Sequence, residues 1–378
     1  MTKQLKVDSV VNVAGTGKPN FPVSPTSGGA ALSTLNTHSY TSSATEPSSP
    51  KNGAIWWDSA NSKVYVYANG EFKEVTLNTD YPSAYSPGIA WGGDRSVTHT
   101  GYISDVSNTL EYHSIGTTGN AQDFGDLTLA RYLSSACSSG TRGVYIGGAI
   151  GAPNYTDQNT MDYVTISTTG NATDFGDTLL AVERTASTSD GTRGVIGGGS
   201  SAGYKNTIQY ITIASAGNAT DFGDLTQVMG WGSAMNDATR SIINQGQSVS
   251  ATASMEYVTT QTTGNATDFG DHANNKQHGA ASDATRGLII GGDNNSRVNT
   301  ISYVTIQTTG NTTDFGDLTV AGSRIGCAGD GTYATAVGGR DRSNTIDRVT
   351  VQTTGNATDH GDMAVAGQYC ASASGSPS

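Results

Sequence analysis

The sequence predicts an all-β protein: a six-bladed β-propeller preceded by an extended N-terminal arm and a small β-hairpin module. Three observations predict it. First, a phrase close to Gly-Asn-Ala-Thr-Asp-Phe-Gly-Asp starts at Gly119, Gly170, Gly217, Gly264, Gly310 and Gly355, with intervals of 45 to 51 residues. That period fits one four-stranded blade and is too long for an ankyrin or leucine-rich unit. Second, charged residues make up only 14% of the 378, Gly, Ser, Thr and Asn abound, and no stretch carries an apolar stripe at helical spacing. Such a composition suits short strands and many turns. Third, the stretch Gly367-Gln-Tyr-Cys-Ala-Ser-Ala373 follows the last unit and matches an inner strand, while the first unit lacks one. The C-terminus is therefore expected to complete the first blade and remove the open edges of the ring.

The unit from Ala321 shows the order within a blade. Residues 323–329 are small and suit an inner strand, and Asp330-Gly331-Thr332 is a turn, because Asp and Gly accept the required backbone angles. Residues 335–339 form a second strand ending in Gly338-Gly339. Residues 345–352 are β-branched at five of eight positions and form a third strand. The turn at Gly355-Asn356 leads into a short outer strand through Asp359 and Asp362. Gly92-Gly93, Gly147-Gly148, Gly197-Gly198 and Gly291-Gly292 read as the corresponding strand ends, where sheets approach closely. Third strands carry Tyr112, Tyr163, Tyr210, Tyr257 and Tyr303 at one slot, and Arg348 in the sixth. Cys137, Cys327 and Cys370 share the small-residue slot, as buried thiols or as a bridge between neighbouring blades.

This order of small inner strand, Gly-Gly strand, Tyr-bearing strand and short outer strand resembles a kelch-type propeller over residues 82–378. Kelch units carry a Trp after the Tyr; here Phe124, Phe175, Phe222, Phe269 and Phe315 stand in that role, and His360 replaces Phe in the sixth unit.

Residues 1–80 do not repeat, and their division is into an arm, 1–50, and a hairpin module, 51–80, before the propeller at 81–378. Lys6-Val-Asp8-Ser-Val and Gly15-Thr-Gly17-Lys-Pro19-Asn-Phe21-Pro22 precede a segment rich in Ser, Thr, Pro and Gly, which reads as extended. Asn69-Gly70 between alternating residues is a two-residue hairpin turn, with Val64, Val66, Phe72 and Val75 expected on one apolar side. The opening, and the later Pro50-x-x-Gly-x-Ile-Trp56-Trp57-Asp58, resemble the N-terminal region of bacteriophage tail-fibre and virion appendage proteins. That resemblance implies a virion structural protein, a fibre, knob or decoration, assembled in the host cytoplasm. Its arm would dock onto other virion proteins, with Phe21, Trp56 and Trp57 as docking residues, and it would form a homo-oligomer, a trimer by analogy.

The net charge of −12 gathers in the propeller: residues 1–79 hold six Lys/Arg and five Asp/Glu, the rest 14 and 27. A negative ring repels phosphate, so nucleic acid is not an expected partner. No apolar run long enough for a membrane span exists, no secretory leader opens the chain, and no membrane insertion is expected. The repeated Asp-Phe-Gly-Asp could offer carboxylates to calcium, but the spacing of a calcium loop is absent, and a turn held by Asn and Asp explains six copies more simply. The six histidines lack metal-ligand spacing. No metal, cofactor or catalytic group is expected. Function should sit on the loops. Those after the glycine pairs offer Asn154, Tyr155, Asp157, Tyr204, Lys205, Asn294, Asn295, Arg297, Arg340 and Arg342 for contact with a host-surface glycan or protein. The rival expectation is a phage polysaccharide depolymerase or glycosidase, with two loop carboxylates brought together by the ring.

Overall fold

Six antiparallel four-stranded sheets follow one another as blades in a computed structural model of the chain. It describes residues 26–27, 30–31, 40–43, 45–49, 54–58, 63–68, 71–74, 89–151, 155–247, 253–273 and 276–377. The chain divides into two units, Met1–Ala84 and Tyr85–Ser378. Every regular element among the described residues is a strand.

Blades 2 to 6 are each continuous in sequence, with inner strands Ser135–Ser138, Ala186–Ser189, Ser233–Asn236, Gly279–Ser282 and Gly326–Gly329. Blade 1 is composite. Its inner strand is Ala371–Gly375, paired antiparallel with Arg95–His99 in register from Ala371 opposite His99 to Gly375 opposite Arg95. Ser107–Ser114 and Gln122–Arg131 complete it. The ring therefore closes as expected from the orphan strand. Gly92-Gly93 does not belong where the sequence placed it, because the pair precedes the second strand of blade 1 and does not end it. Residues Ile89 to Gly92 instead cross the axis at the turn end. Ala90 packs on the turn glycines Gly140 and Gly191 of blades 2 and 3, Ile89 lies against Gly331 of blade 6, and the Ser138 hydroxyl donates to the Trp91 carbonyl. That segment stoppers one end of the ring.

The apolar core lies between blades. Leu110, Phe124 and Leu127 of blade 1, for example, pack with Tyr145, Val164 and Ile166 of blade 2. Inner strands are built of small residues because six of them converge on one axis, and their cysteines fill notches left by glycine. A Cβ on Gly194 would meet Cys137 Sγ at 2.8 Å, and one on Gly279 would meet Cys327 Sγ at 2.3 Å. All three thiols are free, and burial pushes those of Cys137 and Cys370 up to about 12.

An arginine at the head of the second strand in blades 1 to 5 binds the blades sideways. Arg142, Arg193, Arg240 and Arg286 each send Nη1 to a carbonyl of the next blade, at 2.8 to 3.2 Å. Arg95 does the same to Ile166 and Ser167. Each guanidinium also lies over the third-strand tyrosine of its own blade, 4.2 to 4.7 Å from the ring centre. Arg348, the apparent exception, is half of an exchange. In blade 6 Tyr333 occupies the arginine slot, and Arg348 stacks on it at 4.5 Å while reaching the Gly116 carbonyl of blade 1 at 2.8 Å. Tyr333→Arg or Arg348→Tyr alone should each cost about 1–2 kcal/mol through the lost cation–π contact and the unserved carbonyls. The double variant, which restores the arrangement of the other five blades, should return to within about 0.5 kcal/mol of the parent. Denaturant unfolding of the four proteins checks the coupling, and additive losses would refute it.

The smaller unit contains a four-stranded sheet in the order Tyr40–Ser43, Ile55–Asp58, Lys63–Ala68, Glu71–Glu74, the first pair parallel. Tyr40–Ser43 was expected in the arm; its pairing with Ile55–Asp58 moves it into the module. Phe72 pairs with Tyr67 and so shares the face of Tyr65 and Tyr67, not that of Val64 and Val66 as expected. Trp56 stacks on Tyr65 at 4.9 Å, meets Phe72 edge-on at 5.4 Å and donates Nε1–H to the Ser43 carbonyl. Buried in this way, Trp56 supports its own sheet. Phe21 lies outside the described residues, and Trp57 is placed only as part of the strand Ile55–Asp58.

Candidate functional site

The repeated phrase is a clasp between blades. The Gly170 N–H donates to the Phe124 carbonyl at 2.7 Å, the Ala172 N–H to the Asp126 carbonyl at 2.8 Å, and the Asp126 N–H to Asn171 Oδ1 at 3.1 Å. The same three bonds recur at every junction, including the one from blade 6 to blade 1, where Asn120 accepts from Asp362. The asparagine accepts a backbone N–H as expected, but from the neighbouring blade and not within its own turn. The aspartates lie within the outer strand, whose edge is covered by the next blade. Among the described residues no group of three or more His, Cys, Asp or Glu side chains converges as a metal site.

The loops after the second strands lie on the face opposite the stopper. They are tied to the lead-ins of the inner strands by bridges such as Tyr132 with Ala149, Glu183 with Ser200 and Lys276 with Asp293. On this face the expected binding residues separate into two groups. Arg340 is ion-paired to Asp293 at 2.7 Å, Arg297 to Asp341 at 2.7 Å, and Arg342 donates to the Ile103 carbonyl at 2.8 Å. These three join neighbouring blades. Tyr204 is half-buried, its ring lying where a Cβ on Gly230 would meet it at 2.9 Å, and Lys205 begins a strand. Tyr155, Asn294 and Asn295 remain exposed, and Asp157 is half-buried. Asn154 lies outside the described residues.

A different set of residues converges on the axis. Two positions before each inner strand, Leu133, Arg184, Trp231, Gln277, Arg324 and Tyr369 all adopt φ between 59° and 63°. None is glycine, and the left-handed region is costly for side-chain-bearing residues, on the order of 1 kcal/mol each. The conformation is held by a belt of backbone bonds running from blade to blade: Arg184 to Leu133, Trp231 to Arg184, Gln277 to Trp231, Arg324 to Gln277 and Tyr369 to Arg324, at 2.8 to 3.1 Å. It turns one side chain per blade toward the mouth of the ring. There they line a recess of about 80 Å³.

The recess is a cluster of rings and guanidinium groups. Arg184 lies over Trp231 at 4.2 Å, Arg324 over Tyr369 at 4.4 Å, and the Trp231 and Tyr369 rings are 5.8 Å apart. Tyr132 meets Tyr369 edge-on at 5.5 Å. Arg184 pairs with Glu183 at 2.9 Å; burial is the main cause that pushes the Glu183 carboxyl up to about 6, with the Asp157 charge adding to it. Burial pulls Arg324 below the usual guanidinium range. Trp, Tyr and Arg are the residues that carry most energy in recognition surfaces. The sequence reading missed all six, although the slot two residues before each small inner strand is where the units differ most in chemical type.

The chain matches no protein-family model, and no curated protein is similar to it.

Proposed function

We propose that this chain is a bacteriophage virion structural protein that displays a propeller at the particle surface, with the axial mouth as its contact to the host surface. One observation carries the recognition half. At ring-building positions the six units repeat the same residues and bonds, whereas the axial slot holds Leu, Arg, Trp, Gln, Arg and Tyr in a strained backbone conformation. Strain of that kind persists where surrounding structure over-determines it, and it clusters at functional sites. The virion half rests on the resemblance of residues 1–58 to phage appendage proteins. In this reading the N-terminal region joins the particle, the protein is a homo-oligomer, and the ring faces outward.

Deleting residues 1–50 should abolish incorporation into particles while the propeller still unfolds cooperatively. Full incorporation of the shortened chain would defeat the proposal. The second reading, a depolymerase, draws on Glu183, whose raised carboxyl lies at the rim within the field of Asp157. Fragments released from host capsular polysaccharide, and lost in Glu183→Gln, would favour it over display.

A further inference from the structure

We propose that the axial recess receives a single carboxylate carried by a saccharide, a uronic or other sugar acid, with Arg324 as its principal partner. The inference deepens the display reading of the same mouth and rests on it.

Of the two arginines that line the recess, charge pairing leaves one without an acid among the described residues. Of the acids whose charge bears on Arg324, Asp293 is held by Arg340 and Asp341 by Arg297. On the other side Glu183 is held by Arg184. Among the described residues no carboxylate is ion-paired with Arg324. It is held only by neutral amide oxygens, Nε by Gln277 Oε1 at 2.9 Å and Nη1 by Gln368 Oε1 at 3.1 Å. A guanidinium offers five N–H donors in a planar fork suited to carboxylate, and among the described residues none accepts from Nη2 of Arg324. A second donor in the recess, Arg184 Nε, is buried without a protein partner. Uncompensated positive charge and unused donors therefore coincide at the axis of a protein whose net charge is −12.

Size and surroundings choose the carrier. The recess of about 80 Å³ is open to solvent, so the carboxylate enters it while the sugar that bears it lies across the mouth. Beside the recess the Tyr132 ring lies against Tyr369, and the exposed Tyr155 acts on Tyr132, both suited to a sugar. Asp293 and Asp341 bear on Arg324, and Glu183 and Asp157 on Arg184, so a ligand with many negative charges, such as an acidic peptide, meets repulsion beside the attraction. A glycan with an isolated sugar acid does not.

Calorimetric titration of the full chain with three probes tests this: sialyllactose, neutral lactose and a hexaglutamate peptide. Sialyllactose should bind, lactose at least roughly tenfold more weakly, and added salt should weaken only the acidic sugar. Arg324→Gln should remove roughly tenfold of the sialyllactose affinity, and Arg324→Lys should keep part of it. Arg340→Gln, which releases Asp293 to compensate Arg324, should weaken sialyllactose binding and leave lactose unchanged. Should Arg324→Gln fail to fold, the comparison of acidic with neutral sugar and the lysine variant still decide. Equal binding of the two sugars, no binding of either, an unchanged affinity in folded Arg324→Gln, or tighter binding of hexaglutamate would each overturn the inference. The outcomes separate from those of the display reading. Particles that still attach to host cells through the propeller while sialyllactose does not bind leave display standing and remove the sugar acid. Particles lacking the propeller that attach as well as intact ones remove display itself.

Discussion

Removal of residues 368–378 is expected to abolish cooperative folding of the propeller. The lost segment contains the inner strand of blade 1, five residues in register with Arg95–His99. It also contains Tyr369, the last link of the axial belt, and the buried Cys370, Ala371 and Ala373. Without it the edge of Arg95–His99 is bare, and Val97 and Leu110, now fully buried, lose the neighbours that cover them. Each backbone bond contributes about 1 kcal/mol net, so with the apolar burial the loss is comparable to the whole stability of a domain, roughly 5–15 kcal/mol. A bare edge next to exposed apolar surface also favours aggregation. Circular dichroism melts and the soluble fraction after expression measure this. A truncated chain that unfolds cooperatively with an undiminished midpoint would show that the ring does not depend on its latch. Supplying residues 366–378 as a peptide should restore the transition in part.

The second large effect is expected at the clasp. Gly223 has φ of 150°, and a Cβ there would sit 2.3 Å from the Gly264 carbonyl oxygen. The same approach, at 2.3 to 2.6 Å, recurs at Gly125, Gly176, Gly270, Gly316 and Gly361. Gly223→Val should therefore force blades 3 and 4 apart and break the bonds donated by Gly264 and Ala266 and the one Asn265 accepts from Asp224, at a cost of about 3–5 kcal/mol. Gly264→Ala is the informative control. Its φ of 158° also suits glycine, but nothing lies within 4 Å of a Cβ there, so about 1 kcal/mol is expected. Asn265→Ala should cost about 1 kcal/mol, one hydrogen bond. If Gly223→Val were no worse than Gly264→Ala in denaturant unfolding, close approach of the blades would not be what the repeated glycine serves.

Much of the ring could be read from residue order. Strand order, blade number and latch follow from a repeat with one unit split between its ends, because small, glycine-paired and β-branched runs each have one stable place in a blade. Partners across a junction could not be read that way. Asn171 and Asp126 are 45 residues apart, and nothing local says that the asparagine will serve the preceding blade. The exchange of Tyr333 and Arg348 looks like the loss of a conserved slot until the two are seen stacked. Gly92-Gly93 imitates a strand end, yet it belongs to a stopper whose partners are turns of blades 2, 3 and 6.

The candidate site was the least legible part. Exposed polar loops attracted attention by composition, and three of their arginines proved to be braces. The axial residues gave no shared signal, since six different demands on one slot produce almost no pattern in sequence. By itself the sequence determined the blade count, the order of strands and the closure, because these depend on local propensity and a fixed period. Only the tertiary structure decided which side chains meet at the axis and which cation there is left without an acid. Those depend on distances between residues far apart in the chain, set by how tightly the glycines allow the blades to close.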